Sequence, residues 1–377
     1  MALNDEQVML KDAARSWVRE RAPVSAVRQV RTTHAPAGHD PGLYRDMADL
    51  GWTGILVPED LGGFAFGYRS MGVVIEELGR TLAISPLVSS AVVAASAIVL
   101  GGSDVQKAQW LPGIAAGTTI GTLAIEELPR HAPEQTMLKA APADGGWTLS
   151  GTKRAVVDGV AATLFIVVAR TAGERGDRAG LTLFLCPADA AGVTRTPLRQ
   201  IDSRGDAHVD FQDVRLDQGA VLGAVGEGFG LLDRILDRGR AALAAEMLGA
   251  AQQAFETTVD YLKTRVQFGQ PIGSFQALQH RAADMVGQIE LTRSAVEAAL
   301  DAIDADDDEV PSLASLAKMM AGKTLRAVAR EMVQMHGGIG MTDEHDAGLY
   351  LKRAQAADVT FGNAAFHRER YANLAGF

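Results

Sequence analysis

The chain predicts an α+β fold in three consecutive parts: an N-terminal helical region over 1–115, a central β region over 116–225 and a C-terminal helical bundle over 226–377. Three observations carry this. The first part holds apolar residues at helical spacing. The second holds short β-branched and aromatic runs punctuated by Gly, Asp and Pro. The third returns to long Ala-rich and Leu-rich stretches. A length of 377 residues and 47% hydrophobic content suffice for two or three units with a large core.

In order along the chain, Val8, Leu10, Ala14, Trp17 and Val18 form the apolar stripe of a first helix. Pro36–Pro41 marks a loop, and Leu56–Gly67 (LVPEDLGGFAFG) a turn-rich connection. Met71–Gly79 regains helical spacing. Ala91–Leu100 is too short to span a bilayer and reads as a buried helix. Trp110-Leu111-Pro112 closes the region. Trp147–Leu149, Leu164–Ala169, Leu181–Cys186 and His208–Phe211 are the expected strands. From Gly226 the pattern is helical, with an acidic solvated connection at Asp301–Pro311.

Charge narrows the partners. With 36 Lys and Arg against 46 Asp and Glu, the formal charge is −10, which disfavours nucleic acid and anionic membrane. Cys186 is the only cysteine, so no intrachain disulfide or Cys-rich metal site is expected. That usage, a charged periodic N-terminus without a signal-peptide core, and the lack of a spanning segment place the chain in a reducing cytoplasm, with no membrane insertion.

The richest segment is Tyr261–Met285, YLKTRVQFGQPIGSFQALQHRAADM. Lys263 and Arg265 close one helix. Phe268-Gly269 and Pro271-Ile272-Gly273 break it, since Gly permits turn geometry and Pro fixes φ. A second helix starts near Ser274, a good N-cap residue. The resulting corner carries Arg265, Gln267, Phe268 and Gln276. An Arg fork suits a diphosphate, Phe268 offers a stacking face, and the amides suit a polar ring or ribose edge.

This corner resembles a signature of the acyl-CoA dehydrogenase family, and Gln334–Gly340 (QMHGGIG) resembles a second one. The resemblance covers essentially the whole chain. It implies the family fold: an N-terminal helical domain, a central β-barrel domain and a C-terminal four-helix bundle through which chains associate. It implies FAD as cofactor, an acyl-CoA thioester as substrate and electron-transfer flavoprotein as acceptor. In the reaction a carboxylate takes a Cα proton, flavin N5 takes a hydride from Cβ, and hydrogen bonds stabilise the enolate. Residue by residue, it implies Arg265 at the FAD diphosphate with Gln267 and Phe268 beside it. Ile272, Phe275 and Gln276 follow on the adenine side. Gln334, Gly337 and Gly338 approach the far end of a partner chain's FAD. His336, between them, packs or meets solvent.

Three departures qualify the resemblance. Many members cover the flavin ring with a Trp followed by a Ser or Thr. In Gly151–Gly159 (GTKRAVVDG) those places hold Ala155 and Val157, and the element that usually reads Thr-Glu-Pro is Ile125-Glu126-Glu127. The usual catalytic Glu lies in a Glu-Gly-Thr run. Counted from Tyr350-Leu351-Lys352-Arg353-Ala354, the matching run is Phe361-Gly362-Asn363, so the base position holds Phe361. A minority place the base one residue before an arginine; here that pair is Gly239-Arg240. Arg240 is retained as a substrate-site residue, with an ion pair to a nearby acid such as Asp237 as its structural alternative. The third departure is Glu246, an acid in a small, apolar stretch (RAALAAEMLGAA). It lies two turns past Gly239, an axial offset of roughly 10 Å. It is either a displaced catalytic carboxylate or half of a salt bridge.

The wording is similar to that of the base-lacking chains of two-chain members, the pimeloyl-CoA and steroid-CoA dehydrogenases. In the small subunit of the pimeloyl-CoA enzymes the late run reads Phe-Gly-Asp; Asn363 removes a negative charge beside the expected FAD contacts. The first reading is thus a subunit whose missing groups come from a homologous acyl-CoA dehydrogenase chain in a heterotetramer. A homomeric flavoenzyme using Glu246 and a non-catalytic acyl-CoA or protein-binding scaffold are the alternatives. No metal site is expected.

Overall fold

A computed structural model describes residues 3–33, 35 and 37–377. Pro36, the start of the first expected loop, lies outside them. The described residues form α1 (Asp5–Arg21), α2 (Val24–Thr33), α3 (Pro41–Asp49), α4 (Gly67–Arg80), α5 (Ala95–Gly101) and α6 (Asp104–Ala115). Then come β1 (Gly121–Ala124), β2 (Lys139–Ala143), β3 (Gly146–Val156), β4 (Leu164–Arg170), β5 (Leu181–Pro187), β6 (Val193–Pro197), β7 (Ala207–Asp217) and β8 (Val221–Leu222). The last part holds α7 (Gly228–Thr264), β9 (Val266–Gln267), β10 (Gln270–Pro271), α8 (Gln276–Asp304), α9 (Val310–His336), α10 (Ala347–Val359) and α11 (Ala364–Leu374).

This order is helical, then β, then helical, as the sequence predicts. The four strands expected from β-branched runs fall in β3, β4, β5 and β7. The strands the pattern did not mark are the short β1, the exposed β6, the two-residue β8, β9 and β10, and β2, whose KAAPA sequence carries no β-branched residue. Pro112 sits inside the last turn of α6 rather than ending it. The Ala91–Leu100 stretch begins in a buried π-helical segment, Leu87–Ala94, and continues into α5. No helix among the described residues is long and apolar enough to cross a membrane.

The residues pack into two units. One comprises 1–28, 68–83 and 240–377; the other comprises 29–67 and 84–239. The β-containing unit is built on one sheet ordered β6-β7-β3-β2-β4-β5-β8, with β1 parallel to β4. Alternate side chains of these strands meet in a core that includes Trp147, Phe165, Phe184 and Phe211. The Trp147–Phe184 and Phe165–Phe211 rings meet edge to face, at 5.5 and 6.2 Å. Along β3 the register slips between Lys153 and Val156, where Ala155 takes a positive φ of 44°. That bulge re-aims the residues leading to Val157.

The other unit packs α4 against long helices. Its tightest crossing explains the small residues around Glu246. A Cβ on Gly249 would stand 1.8 Å from the Glu76 carbonyl oxygen, and one on Gly79 would stand 2.1 Å from that of Glu246. Backbones meet there with no room for a methyl group. Gly249→Ala is therefore expected to force α4 and α7 apart and cost about 3 kcal/mol or more, read as a lowered denaturation midpoint with unchanged slope. The acidic connection is only partly solvated. The Asp304 carboxylate accepts from the Tyr68 and Arg69 N–H groups at 2.6 and 2.8 Å, capping the start of α4.

Candidate functional site

The Arg265 corner forms a tight hairpin. β9 and β10 pair Gln267 with Gln270, and the two linking residues, Phe268 and Gly269, both have positive φ (53° and 80°). That is the mirror-image turn whose twist suits a two-residue hairpin. The helix after it begins later than Ser274 suggested. Ser274 instead donates to the Pro271 carbonyl at 2.7 Å in a short 3₁₀ turn, and Phe275 occupies the cap position of α8 without a side-chain cap. Phe268 is 90% exposed and meets Phe275 only edge to face, at 6.0 Å. Arg265, Gln267 and Gln276 are also exposed, and Ile272 is half-buried. The corner thus presents a positive-φ aromatic and a guanidinium and buries neither.

The second signature lies at the end of α9. Gln334, Gly337 and Gly338 are exposed, and a Cβ on either glycine would meet nothing within 4 Å. Gly337 ends α9 with φ 64° and ψ −136°, a backbone conformation outside the left-handed helical region that favours glycine. His336 is buried. It stacks on Tyr261 at 4.3 Å and meets the His345 ring at a tilt, at 4.2 Å, and its Nδ1 lies 2.7 Å from the Met332 carbonyl oxygen. Burial pushes its pKa down, the Met332 bond opposes this, and His345 adds to it. A run of ring contacts thus joins Tyr261, near the end of α7, to the root of the glycine loop.

The position expected for the base is enclosed. Phe361 is buried with a φ of 57°, and its carbonyl oxygen accepts from Arg240 Nε at 3.3 Å and lies 3.1 Å from His367 Nε2. Arg240, itself 1% exposed, also lies 5.5 Å from the Phe366 ring centroid. The residue beside the minority base site thus touches the backbone of the usual one. Lys318, fully buried, donates to the carbonyl oxygens of Ala357, Asp358 and Gly362 at 2.9, 3.0 and 3.1 Å. Burial drives its pKa down to about 7; Asp358 opposes this and Arg240 adds to it. Sequence reasoning missed Lys318. The available signal was a lone lysine among small and apolar residues in SLASLAKMMAG. Asn363 is exposed and spends its side-chain oxygen on the Phe366 N–H at 2.9 Å, capping α11.

Glu246 forms a salt bridge, one of its two expected roles. It is 5% exposed, and its Oε1 accepts from Arg353 Nη1 at 2.9 Å. Arg353, 2% exposed, also donates to the Leu82 carbonyl at 3.2 Å. A carboxylate held by a buried guanidinium is committed to charge pairing and ill-suited to cycle a proton. The partner was hidden because 107 residues separate the two.

In the β-containing unit, the segment of the missing ring cover is held by backbone. The Ala155 N–H donates to His208 Nδ1 at 3.2 Å, and Thr122 Oγ1 donates to the Val157 carbonyl at 2.6 Å. Lys153, fully buried, pairs with Glu127 at 2.6 Å. Beyond Val157, Asp158 accepts from Ser89 Oγ at 2.6 Å, and its N–H donates to Asp206 at 3.2 Å. Burial, then Asp158 and Asp202, push the Asp206 carboxyl up to about 7. The folded state therefore holds a proton that the unfolded chain releases near pH 4. Stability is fully present below that range and is lost as pH rises to about 7. Asp206→Asn, with the Gln200 amide free to turn and keep its hydrogen bond, should remove this loss. It is expected to melt later than the parent at pH 8, by about 2 kcal/mol or more, and to differ little at about pH 4. Paired thermal melts at the two pH values check it.

The chain matches three family models: acyl-CoA dehydrogenase, N-terminal domain, over residues 4–118; middle domain over 131–217; and C-terminal domain over 226–375. It is 32% identical over 354 residues to acyl-CoA dehydrogenase IpdE2 of Mycobacterium tuberculosis, covering 94% of this chain and 92% of that protein. Among solved structures it resembles butyryl-CoA dehydrogenase from Megasphaera elsdenii, with a TM-score of 0.92, 27% identity, and 100% and 99% of the two chains covered. It also resembles a chain of the ChsE4-ChsE5 complex from Mycobacterium tuberculosis, with a TM-score of 0.89, 26% identity, and 100% and 99% covered.

Proposed function

Because the chain belongs to the acyl-CoA dehydrogenase family, an FAD-dependent class of oxidoreductases acting on CH–CH bonds, we propose that it is the base-lacking subunit of a heteromeric enzyme that desaturates an acyl-CoA thioester. The observation that carries this is the base position. Phe361 fills it with a buried ring, and its carbonyl is tied to Arg240. Neither group can accept a Cα proton. The other carboxylate at issue, Glu246, is committed to Arg353.

FAD, when bound, supplies the hydride acceptor. The residues present fit it at an exposed edge rather than in a closed pocket. Arg265 would hold the diphosphate, Phe268 would stack, and Gln267 and Gln276 would meet polar edges. Ile272 and Phe275 would support the adenine side. Gln334 and the open backbone at Gly337 and Gly338 would approach the far end, with the His336 stack holding that loop in place. Asn363 would lie beside them without adding negative charge. In this reading a partner chain supplies the proton acceptor and the ring cover that Ala155 and Val157 do not provide. Arg240 then holds the Phe361 turn rather than the substrate. The likeness to a chain of a two-chain complex supports the heteromeric form, and an electron-transfer flavoprotein is the proposed acceptor. In this reading the chain divides into three domains at 1–115, 116–225 and 226–377.

The test is turnover of acyl-CoA thioesters by the chain alone and with a base-bearing homologue co-expressed. Activity is expected only in the pair. Phe361→Glu in the lone chain is expected to add no turnover, since the cleft belongs to the partner. Strong desaturation by the unmutated chain alone would defeat the proposal.

A further inference from the structure

Tyr261, His336 and His345 lie on three separate elements of one unit: α7, the end of α9 and the segment leading into α10. Their rings meet at 4.3 and 4.2 Å between centroids, and the Tyr261 hydroxyl donates to the His336 carbonyl at 3.4 Å. Both signature segments hang on this contact. The Arg265 N–H donates to the Tyr261 carbonyl at 2.9 Å, and Gly337 follows His336 directly. The loop itself is compact. A Cβ on Gly340 would stand 2.6 Å from the Val333 carbonyl oxygen, and the Thr342 hydroxyl donates to the Ile339 carbonyl at 2.8 Å.

The hydrogen bonds fix where each ring carries its proton. A carbonyl only accepts, so His336 Nδ1 donates to Met332 at 2.7 Å. A backbone N–H only donates, so His345 Nδ1 accepts from Ala347 at 3.1 Å. That N–H is the first of α10, whose N-cap, Asp346, makes no side-chain cap bond. The His345 ring takes the place of a cap. A second proton on His345 would land on Nδ1, against the Ala347 N–H. The bond would be lost, and a cation would stand at the helix end that repels it. A second proton on His336 would charge a ring that is 3% exposed and 4.2 Å from the other imidazole. Burial opposes that charge, the Met332 bond favours it, and His345 opposes it again. The other ionisable groups beside the pair are engaged elsewhere. Arg28 of α2 lies 2.7 Å from Asp346 and 3.9 Å from Asp343. On α7, Asp260 pairs with Lys263 at 3.9 Å, and on α9, Glu331 pairs with Arg281. Glu344 is exposed.

We propose that the Tyr261–His336–His345 contact is an acid-released clasp: it holds the glycine loop after α9 to the end of α7 while both imidazoles are uncharged, and lets go when they take up protons. Histidine changes charge between about pH 5 and 8. The closed clasp binds fewer protons than the open one. Its stability is therefore fully present above the ordinary imidazole range and is lost as pH falls through it. Resting on the FAD reading above, the two segments that would meet the cofactor loosen together, so acid releases flavin.

The test is hydrogen exchange, resolved by peptide mass spectrometry, on the purified assembly at about pH 8 and about pH 5, with rates corrected for the intrinsic effect of pH. Protection of residues 337–347 is expected to fall about ten-fold in acid, while β4 and β5 keep theirs. His345→Asn retains an acceptor for the Ala347 N–H and cannot charge, so the fall should shrink. His336→Phe keeps a ring against Tyr261, and in the double variant the fall should vanish. Where His336→Phe loosens the loop even at the higher pH, His345→Asn alone decides. An unchanged fall in His345→Asn, equal protection of the parent at both pH values, or loosening of β4 and β5 to the same extent would overturn the clasp. Flavin absorbance of the same samples separates the two readings. Acid loosening with flavin retained upholds the clasp and counts against the loop's place at the cofactor.

Discussion

Arg353→Met should destabilise the protein by about 3–5 kcal/mol, because it leaves the Glu246 carboxylate buried without its guanidinium. The pair is almost fully enclosed, at 5% and 2% exposure, so water cannot replace the lost partner. Glu246→Gln keeps the shape and an acceptor oxygen but removes the charge, and is expected to cost about 2 kcal/mol or more. Denaturant unfolding of both variants reads these losses directly. The double replacement by well-packed apolar residues should recover much of the stability, since neither buried charge remains. A Glu246 that served catalysis would behave differently: Glu246→Gln would unfold like the parent and lose only turnover.

Arg265→Ala is the second large effect, and it falls on cofactor retention instead of folding. The side chain is exposed. The backbone around it is held by the Arg265 N–H to Tyr261 carbonyl bond at 2.9 Å and the Ile272 N–H to Arg265 carbonyl bond at 2.8 Å, neither of which the mutation touches. Loss of a charge-assisted contact to the diphosphate should cost about 2 kcal/mol, roughly thirty-fold in flavin affinity. The measurement is the flavin absorbance of the assembly after gel filtration, at an unchanged melting temperature. Full flavin retention would remove Arg265 from the diphosphate site.

The fold was legible where local pattern and tertiary demand agree. Leu164–Ala169 and Leu181–Cys186 read as strands and are the buried centre of the sheet, β4 and β5. Lys139–Ala143 did not, because pairing with β3 makes it a strand despite its composition. The Phe268-Gly269 turn was legible from its glycine and the following proline. The shift of the helix start past Ser274 was not, since the serine hydroxyl found a nearer carbonyl. At the expected base positions the sequence places Phe361 and Gly239. What it could not supply were long-range partners: Arg240 to Phe361, Lys318 to the end of α10, and Arg353 to Glu246. Each joins residues 40 to 121 positions apart, and nothing in their local spacing encodes the meeting.

The central claim is that this chain completes another chain's flavin site and supplies no proton acceptor of its own. Light scattering combined with a flavin-to-protein ratio, on the chain purified alone and with its base-bearing partner, tests it most directly. The expected result is an oligomer poor in flavin and inactive when alone. With the partner, it is a four-chain particle holding two unlike chain types and fewer flavins than chains. A stable monomer, or a homotetramer with one FAD per chain and full dehydrogenase turnover, would contradict it.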